Sequence, residues 1–271
     1  MNPDHSARLR ADRIRVGYGR RTVLDGVDFA VPDKTMTAII GPNGCGKSTL
    51  LRTLGHTLRP QSGRVSLDDE DVHRIAPKTL ARQIAMLPQA PTAPEGITVT
   101  DLVARGRQPH QTWLRQWSAQ DEAAVRRALE LTHTSDLAHE ALDSLSGGQR
   151  QRVWIAFIIA QDADILLLDE PTTFLDLAHA IDVLRLVESL HRFGGRTIVM
   201  VLHDLNLAAQ YAQHLVVMDK GSIVAEGAPA HVLSSALLAD VFGLAADVIP
   251  HPVEEGVLVL PRRRASRAAA D

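Results

Sequence analysis

The chain of 271 residues contains one cysteine, Cys45, so no disulfide can form within it. That excludes a disulfide-stapled scaffold and suits a reducing compartment. Aromatic residues make up only 4%, too few for the stacking platforms that hold single-stranded nucleic acid. The formal net charge is only -3, so no global field draws the chain to nucleic acid. The longest strongly apolar run covers residues 153–160, far short of the ~20 residues of a bilayer-crossing helix. Residues 1–12 are polar and lack the apolar core of a signal peptide. The expectation is a cytoplasmic chain with no nucleic-acid partner. What is present is ordinary for a globular protein, 45% apolar and 23% charged residues. At this length a core can be buried without staples, in one large domain or two small ones.

Alternation of β type at residues 13–18 and 23–31, around turn residues 19–21, predicts a hairpin. Residues 36–40 form a short apolar run, followed by a glycine-rich segment and a helix-like stretch to about residue 56. Further strands are expected at 64–67 and 84–87. A helix-rich middle follows, with segments at 100–106 and 119–131 and a helix after Gly148. Strand and helix then alternate at 165–168, 177–192, 197–202 and 204–211, before a last hairpin around Lys220-Gly221. Residues 236–242 suggest a short helix and 257–260 a strand, neither with an assigned role. Alternating strand and helix units imply an α/β fold with a mainly parallel sheet. The helical block forms its own subdomain, about 90–162, within a domain spanning 10–260. The tail, 261–271, carries Arg262, Arg263, Arg264 and Arg267 among alanines and reads as a solvated end or a weak membrane-surface contact.

Gly41-Pro42-Asn43-Gly44-Cys45-Gly46-Lys47-Ser48-Thr49 fits the phosphate-loop pattern and lies between an expected strand and an expected helix. Glycines let the backbone curl so that successive N–H groups face phosphate oxygens. The helix start adds partial positive charge, Lys47 adds a full one, and the Ser48 hydroxyl suits Mg²⁺. The strand at 165–168 ends in Asp169 and Glu170. Ligands gather at the carboxyl ends of such strands. Asp169 is therefore placed to face the metal held by Ser48, and Glu170 to orient or deprotonate the attacking water. His203 follows the strand at 197–202. It reads either as a hydrogen-bond donor to the γ-phosphate or as a helix-capping surface histidine. Gln89, taken singly, is a polar loop residue.

Leu145-Ser146-Gly147-Gly148-Gln149 precedes a long helix and makes a second anion-binding helix start. One nucleotide seldom needs two cradles in one chain, so the economical reading gives this one to a nucleotide held by another copy. With this motif the sequence resembles the ATP-binding cassette family over residues 14–227, its motifs in order. The resemblance implies a P-loop cassette with a mainly parallel core, an antiparallel β subdomain and an inserted helical subdomain. It implies that Tyr18 stacks on adenine, that 41–49 is the Walker A loop, and that Gln89 reaches Mg²⁺ and the attacking water. It assigns Ser146, Gly147, Gly148 and Gln149 to the signature and Asp169 to the Walker B metal site. Glu170 becomes the catalytic base, Asp176 in Phe174-Leu175-Asp176 a dimer contact, and His203 the switch.

The same resemblance implies a homodimer binding ATP and Mg²⁺ at the cytoplasmic face of the cell membrane. Separate permease subunits would span the membrane, and a substrate-binding protein would recognise cargo. Gly106-Arg107-Gln108-Pro109-His110 and the residues around Trp154 are similar to cassettes that import ferric siderophores, haem and cobalamin. Other cargo, such as manganese or zinc, and an iron–sulfur assembly ATPase are the alternatives. Trp154 on its own reads as core packing. Cys45 is expected to have a lowered thiol pKa from the helix terminus and Lys47, and so to react with thiol reagents.

Overall fold

The computed structural model describes residues 7–112, 117–173 and 175–262. Phe174 and tail residues Arg263, Arg264 and Arg267 lie outside these. The chain runs through β1 (Leu9–Tyr18), β2 (Arg21–Ala30), β3 (Met36–Ile40), α1 (Lys47–Leu54), β4 (Ser62–Leu67), β5 (Glu70–Asp71), α2 (Pro77–Ala81) and β6 (Ile84–Leu87). Next come α3 (Val99–Arg105), α4 (Ala119–Leu131) and α5 (Gly147–Gln161). The second half holds β7 (Ile165–Asp169), α6 (Leu177–Gly194), β8 (Thr197–Val201), α7 (Leu205–Tyr211), β9 (His214–Asp219) and β10 (Ser222–Gly227). It closes with α8 (Pro229–Val232), α9 (Ser235–Phe242), β11 (Ala246–Pro250) and β12 (Val257–Pro261).

The main sheet has the order β10-β9-β3-β8-β7-β6. Pairing is parallel from β9 to β6, and β10 closes the edge antiparallel to β9. An antiparallel sheet, β2-β1-β4-β5, packs nearby. Strands β3, β7 and β8 are buried at every position, as expected of parallel strands covered on both faces. Their period of two divides them between two cores. Met36, Ala38, Ile40, Leu166 and Leu168 join the core beneath α5 and α6. Ile39, Ile165 and Leu167 join the core shared with α1 and the antiparallel sheet. Leu50, Leu51 and Leu54 anchor α1 there with no exposure, each burial stabilising by about 1.5–3 kcal/mol.

Helix starts follow their local sequence. Ser118 caps α4 and Ser146 caps α5, each in a reciprocal box with the residue three positions on, Asp121 and Gln149. Asp176 caps α6, and Gly195 ends it in the left-handed conformation. Several elements depart from expectation. β5, α2, α8 and β11 have four or five residues at most, or only two in β5, too few to show a period, and tertiary contacts hold them. β12 does not extend the main sheet; it pairs only with β11, in a separate two-stranded sheet. Among the described residues no helix is long and apolar enough to cross a membrane.

The helical block is pinned by a buried ion pair. Arg107 Nε lies 3.0 Å from Asp121 Oδ1, with side-chain exposures of 8% and 7%. Arg107 also donates to the Ala160 carbonyl at 2.8 Å, and Asp121 accepts from Ser118 Oγ at 2.6 Å. Gly106 lies where a Cβ would be 2.5 Å from the Phe157 carbonyl. Trp154 is buried in the core and meets Phe157 edge-on at 5.8 Å. The Gly106-to-His110 stretch is thus a packing strap. Replacing Arg107 by Ala leaves a buried carboxylate without its cation. We expect a stability loss of about 3–5 kcal/mol, read by urea unfolding, and a substantially smaller loss in an Arg107→Met, Asp121→Leu double variant.

Candidate active site

The sheet brings the candidate residues together through strand register. Ile39 on β3 and Asp169 on β7 both stand opposite Val201 on β8, and Leu87 on β6 stands opposite Leu168. Four strands therefore release their chains at one level, into the phosphate loop, the acid pair, His203 and Gln89. This is the carboxyl edge at which α/β sheets hold ligands.

Beyond β3 the chain turns at Gly41, where a Cβ would lie 2.2 Å from the Met218 carbonyl of β9. The loop rests on the β9–β10 turn, whose Gly221 donates its N–H to the Cys45 carbonyl at 2.9 Å. Gly221 has φ +83, and a Cβ there would strike the Val23 carbonyl at 2.1 Å. Lys47 is buried, and its ammonium donates to the Gly41 and Pro42 carbonyls at 2.8 and 3.0 Å. A cation held only by backbone carbonyls is available for an anion.

Ser48 donates its hydroxyl to Asp169 Oδ1 at 2.8 Å. Asp169 is 1% exposed, and its Oδ2 has no hydrogen-bond partner among the described residues. Arg52 Nε lies 3.6 Å from that oxygen. Burial pushes the Asp169 carboxyl above the ordinary range, against the pull of Ser48 and Arg52. An unpaired buried carboxylate oxygen beside a serine hydroxyl fits the oxygen donor set of a small divalent cation.

Glu170 has φ +56, a left-handed conformation that costs a non-glycine residue about 1–3 kcal/mol. Three groups hold its carboxylate: Gln89 Nε2 at 2.7 Å, Thr173 Oγ1 at 2.9 Å and His203 Nε2 at 2.7 Å. Burial pushes Glu170 up, but hydrogen bonds from His203, Thr173 and Gln89 outweigh it and hold the group below the usual carboxylate range. It is therefore an anion near neutrality, able to accept a proton or orient a water. Tyr18, half exposed, Asn43, Gly44, Gly46, Lys47, Ser48, Thr49, Glu170 and His203 line one cleft of about 370 Å³.

Ser146, Gly147, Gly148 and Gln149 do not line that cleft. They form the start of α5, beside the start of α6: a Cβ on Gly148 would lie 3.1 Å from His179 Cδ2. His179 in turn donates its backbone N–H to Asp176 at 2.9 Å, with its ring Nδ1 2.7 Å from the same oxygen. A Cβ on Gly147 would meet nothing within 4 Å. The structure thus gathers Asp176 with the signature residues, apart from the phosphate loop.

Arg52 and Thr173 were not expected at the site. Ser48 and Arg52 are four residues apart on one helix, hence on one face, and that spacing was the available signal for Arg52. Thr173 carried none, because its approach depends on the turn at Glu170. The lowered thiol pKa expected at Cys45 is overturned. The residue is 5% exposed, and burial pushes the thiol up, beyond what Lys47 offsets.

A phosphate loop facing a buried acid, with a second acid held ionised beside it, defines a P-loop nucleotide-hydrolysing site. The chain matches the ABC transporter family model over residues 24–173 and belongs to that family. It is 52% identical to the achromobactin transport ATP-binding protein CbrD of Dickeya dadantii, over 93% of this chain and 94% of that one. It is 48% identical to the ferric enterobactin transport ATP-binding protein FepC of Escherichia coli, over 98% of each. A structure described as an inward-facing metal-chelate type ABC transporter superposes with a TM-score of 0.81 at 28% identity, over 94% of this chain and 98% of that one.

The Cys45 geometry has a measurable consequence. At neutral pH the folded protein should alkylate slowly with iodoacetamide, faster as pH rises past the ordinary thiol range, and rapidly in urea. Equal rates in folded and unfolded protein would contradict this burial.

Proposed function

We propose that the chain is the ATP-hydrolysing subunit of a bacterial importer of ferric siderophores, acting as a homodimer at the cytoplasmic face of the membrane. Residues 10–260 form the ATPase domain, with the helical part at about 90–162 inserted, and separate permease subunits carry the cargo. A substrate-binding protein delivers that cargo. The observation that carries the hydrolytic reading is Glu170, ionised and held by Gln89, Thr173 and His203 beside the Ser48–Asp169 pair. Names of relatives in siderophore transport support the cargo class. Haem is the second reading, favoured by 42% identity to the hemin import ATP-binding protein HmuV of Rhodococcus jostii, over 96% of this chain and 88% of that one.

In this reading, Tyr18 takes the adenine and the 41–49 backbone the phosphates. Lys47 exchanges the Gly41 and Pro42 carbonyls for β- and γ-phosphate oxygens. Ser48, Asp169 and Gln89 would hold Mg²⁺, which would supply charge neutralisation to the triphosphate. Glu170 orients the attacking water and accepts its proton, and His203 donates to the γ-phosphate. Ser146, Gly147, Gly148 and Gln149 of the second copy complete the cradle, with Asp176 at the contact. The γ-phosphate contact, which ADP lacks, separates the closed state from the open one.

Glu170→Gln should lower ATP turnover by about 10²–10⁴-fold while leaving ATP affinity nearly unchanged. Cells relying on this variant should fail to take up radiolabelled ferric siderophore; normal uptake would overturn the assignment, and loss of labelled haem uptake alone would favour the second reading. The pairing is tested separately. Glu170→Gln protein with ATP should sediment as a dimer, and adding Ser146→Arg should keep it monomeric with ATP still bound.

A further inference from the structure

The segment after β10 had no assigned role, yet it reaches Asn206, three residues after the switch position. His203 leaves β8 with its side chain 44% exposed and its Nε2 2.7 Å from Glu170 Oε1. Its placement depends on the backbone between Val201, fixed in the sheet, and α7. Asp204 caps α7 by accepting from the N–H groups of Asn206 and Leu207 at 2.8 and 2.9 Å. With seven residues, α7 is far below the length at which a helix persists by itself. Packing must hold it. Ala208 and Ala209 pack into the core on one side. The β11–β12 hairpin holds the other.

Asn206 makes the closest polar tie to that second wall. Asn206 Oδ1 accepts the Val259 N–H at 2.7 Å, and its Nδ2 donates to the Val259 carbonyl at 3.2 Å. Val259 is 2% exposed. The amide thus satisfies both backbone groups of a buried β12 residue, as a neighbouring strand would. One turn on, Gln210 Nε2 donates to Glu254 Oε2 of the hairpin connection at 2.8 Å. Few side chains fit the first tie. A leucine would leave two buried backbone groups unpaired, and an aspartate would set a carboxylate oxygen against the Val259 carbonyl. Asparagine is also a poor helix former, so its use in the first turn of a short helix is a local cost that the tertiary link offsets.

We propose that Asn206 is a positioning residue for ATP hydrolysis: it fastens α7 to the C-terminal hairpin and so holds His203 against Glu170. The inference rests on the roles proposed above for His203 and Glu170. The hairpin is then part of the hydrolytic machinery at a distance, not an appendage. Because the phosphate loop and Tyr18 are not attached to α7 by this tie, loosening it should slow turnover and spare ATP binding.

The test is steady-state ATP hydrolysis by the full chain with Mg²⁺, for Asn206→Ala, for Val259→Pro, which removes the partner N–H, and for both together. Each single variant should lower kcat by about tenfold with KM for ATP within about twofold. The double variant should lose little more than the worse single, because both cut one link. Unchanged kcat, a loss confined to KM, or losses that multiply would overturn the proposal. Should Asn206→Ala not fold, Asn206→Asp, which keeps the acceptor for Val259 N–H, takes its place and should turn over at a rate between wild type and Val259→Pro; a wild-type rate would overturn it. His203→Ala separates the two levels. If it keeps the wild-type rate, the role of His203 falls and this inference with it. If it loses activity while Asn206→Ala keeps it, only this inference falls.

Discussion

A carboxylate with almost no solvent exposure and one unpaired oxygen sets the terms for the rest of the molecule. Asp169 ends a strand whose every position is buried, and Ser48 satisfies only one of its oxygens. Leaving a charge in that state is costly unless a cation is near. The surroundings supply positive charge by degrees: Arg52 just outside hydrogen-bond range, and Lys47 parked on backbone carbonyls. This donor set fits a divalent cation together with a polyphosphate. The parallel register that levels β3, β7, β8 and β6 delivers the phosphate loop, Glu170, His203 and Gln89 to the same edge.

Glu170 shows how the same edge makes a different acid from its neighbour. Asp169 is pushed up by burial that its partners do not offset, whereas Glu170 is pulled down by three donors that do. Adjacent carboxyls are driven apart in acidity by their surroundings. Divergence of that kind is consistent with the separate roles proposed above for the two acids. The left-handed backbone at Glu170 belongs to the same arrangement. It turns the chain so that Thr173 can reach back to the carboxylate, and the three hydrogen bonds offset the strain.

The two anion cradles have different backing. The 41–49 loop is wedged against β9, the β9–β10 turn and β2, so its shape is set from beneath. The α5 start is formed by a capping box and stands open at Gly147. Its nearest neighbour is the α6 start, through Gly148 and His179. Within one chain the α5 start does not line the phosphate-loop cleft. That separation is the geometric basis for the pairing proposed above.

Long elements and the order of motifs were legible because they rest on local rules. Continuous apolar runs mark β3, β7 and β8, alternation marks β1 and β2, and glycine spacing marks the phosphate loop. A short-range pattern survives in the sequence whatever surrounds it. The Cys45 thiol was misjudged because charge proximity is visible along the chain and burial is not. Arg52, Thr173, the β11–β12 pairing and the Asn206 tie to Val259, 53 positions away, came from contacts between remote segments. Local composition carries no record of those partners. The amino-acid order thus established which chemical groups are present and which elements carry them, while folding selected which are buried, which meet, and in which direction each carboxyl is shifted.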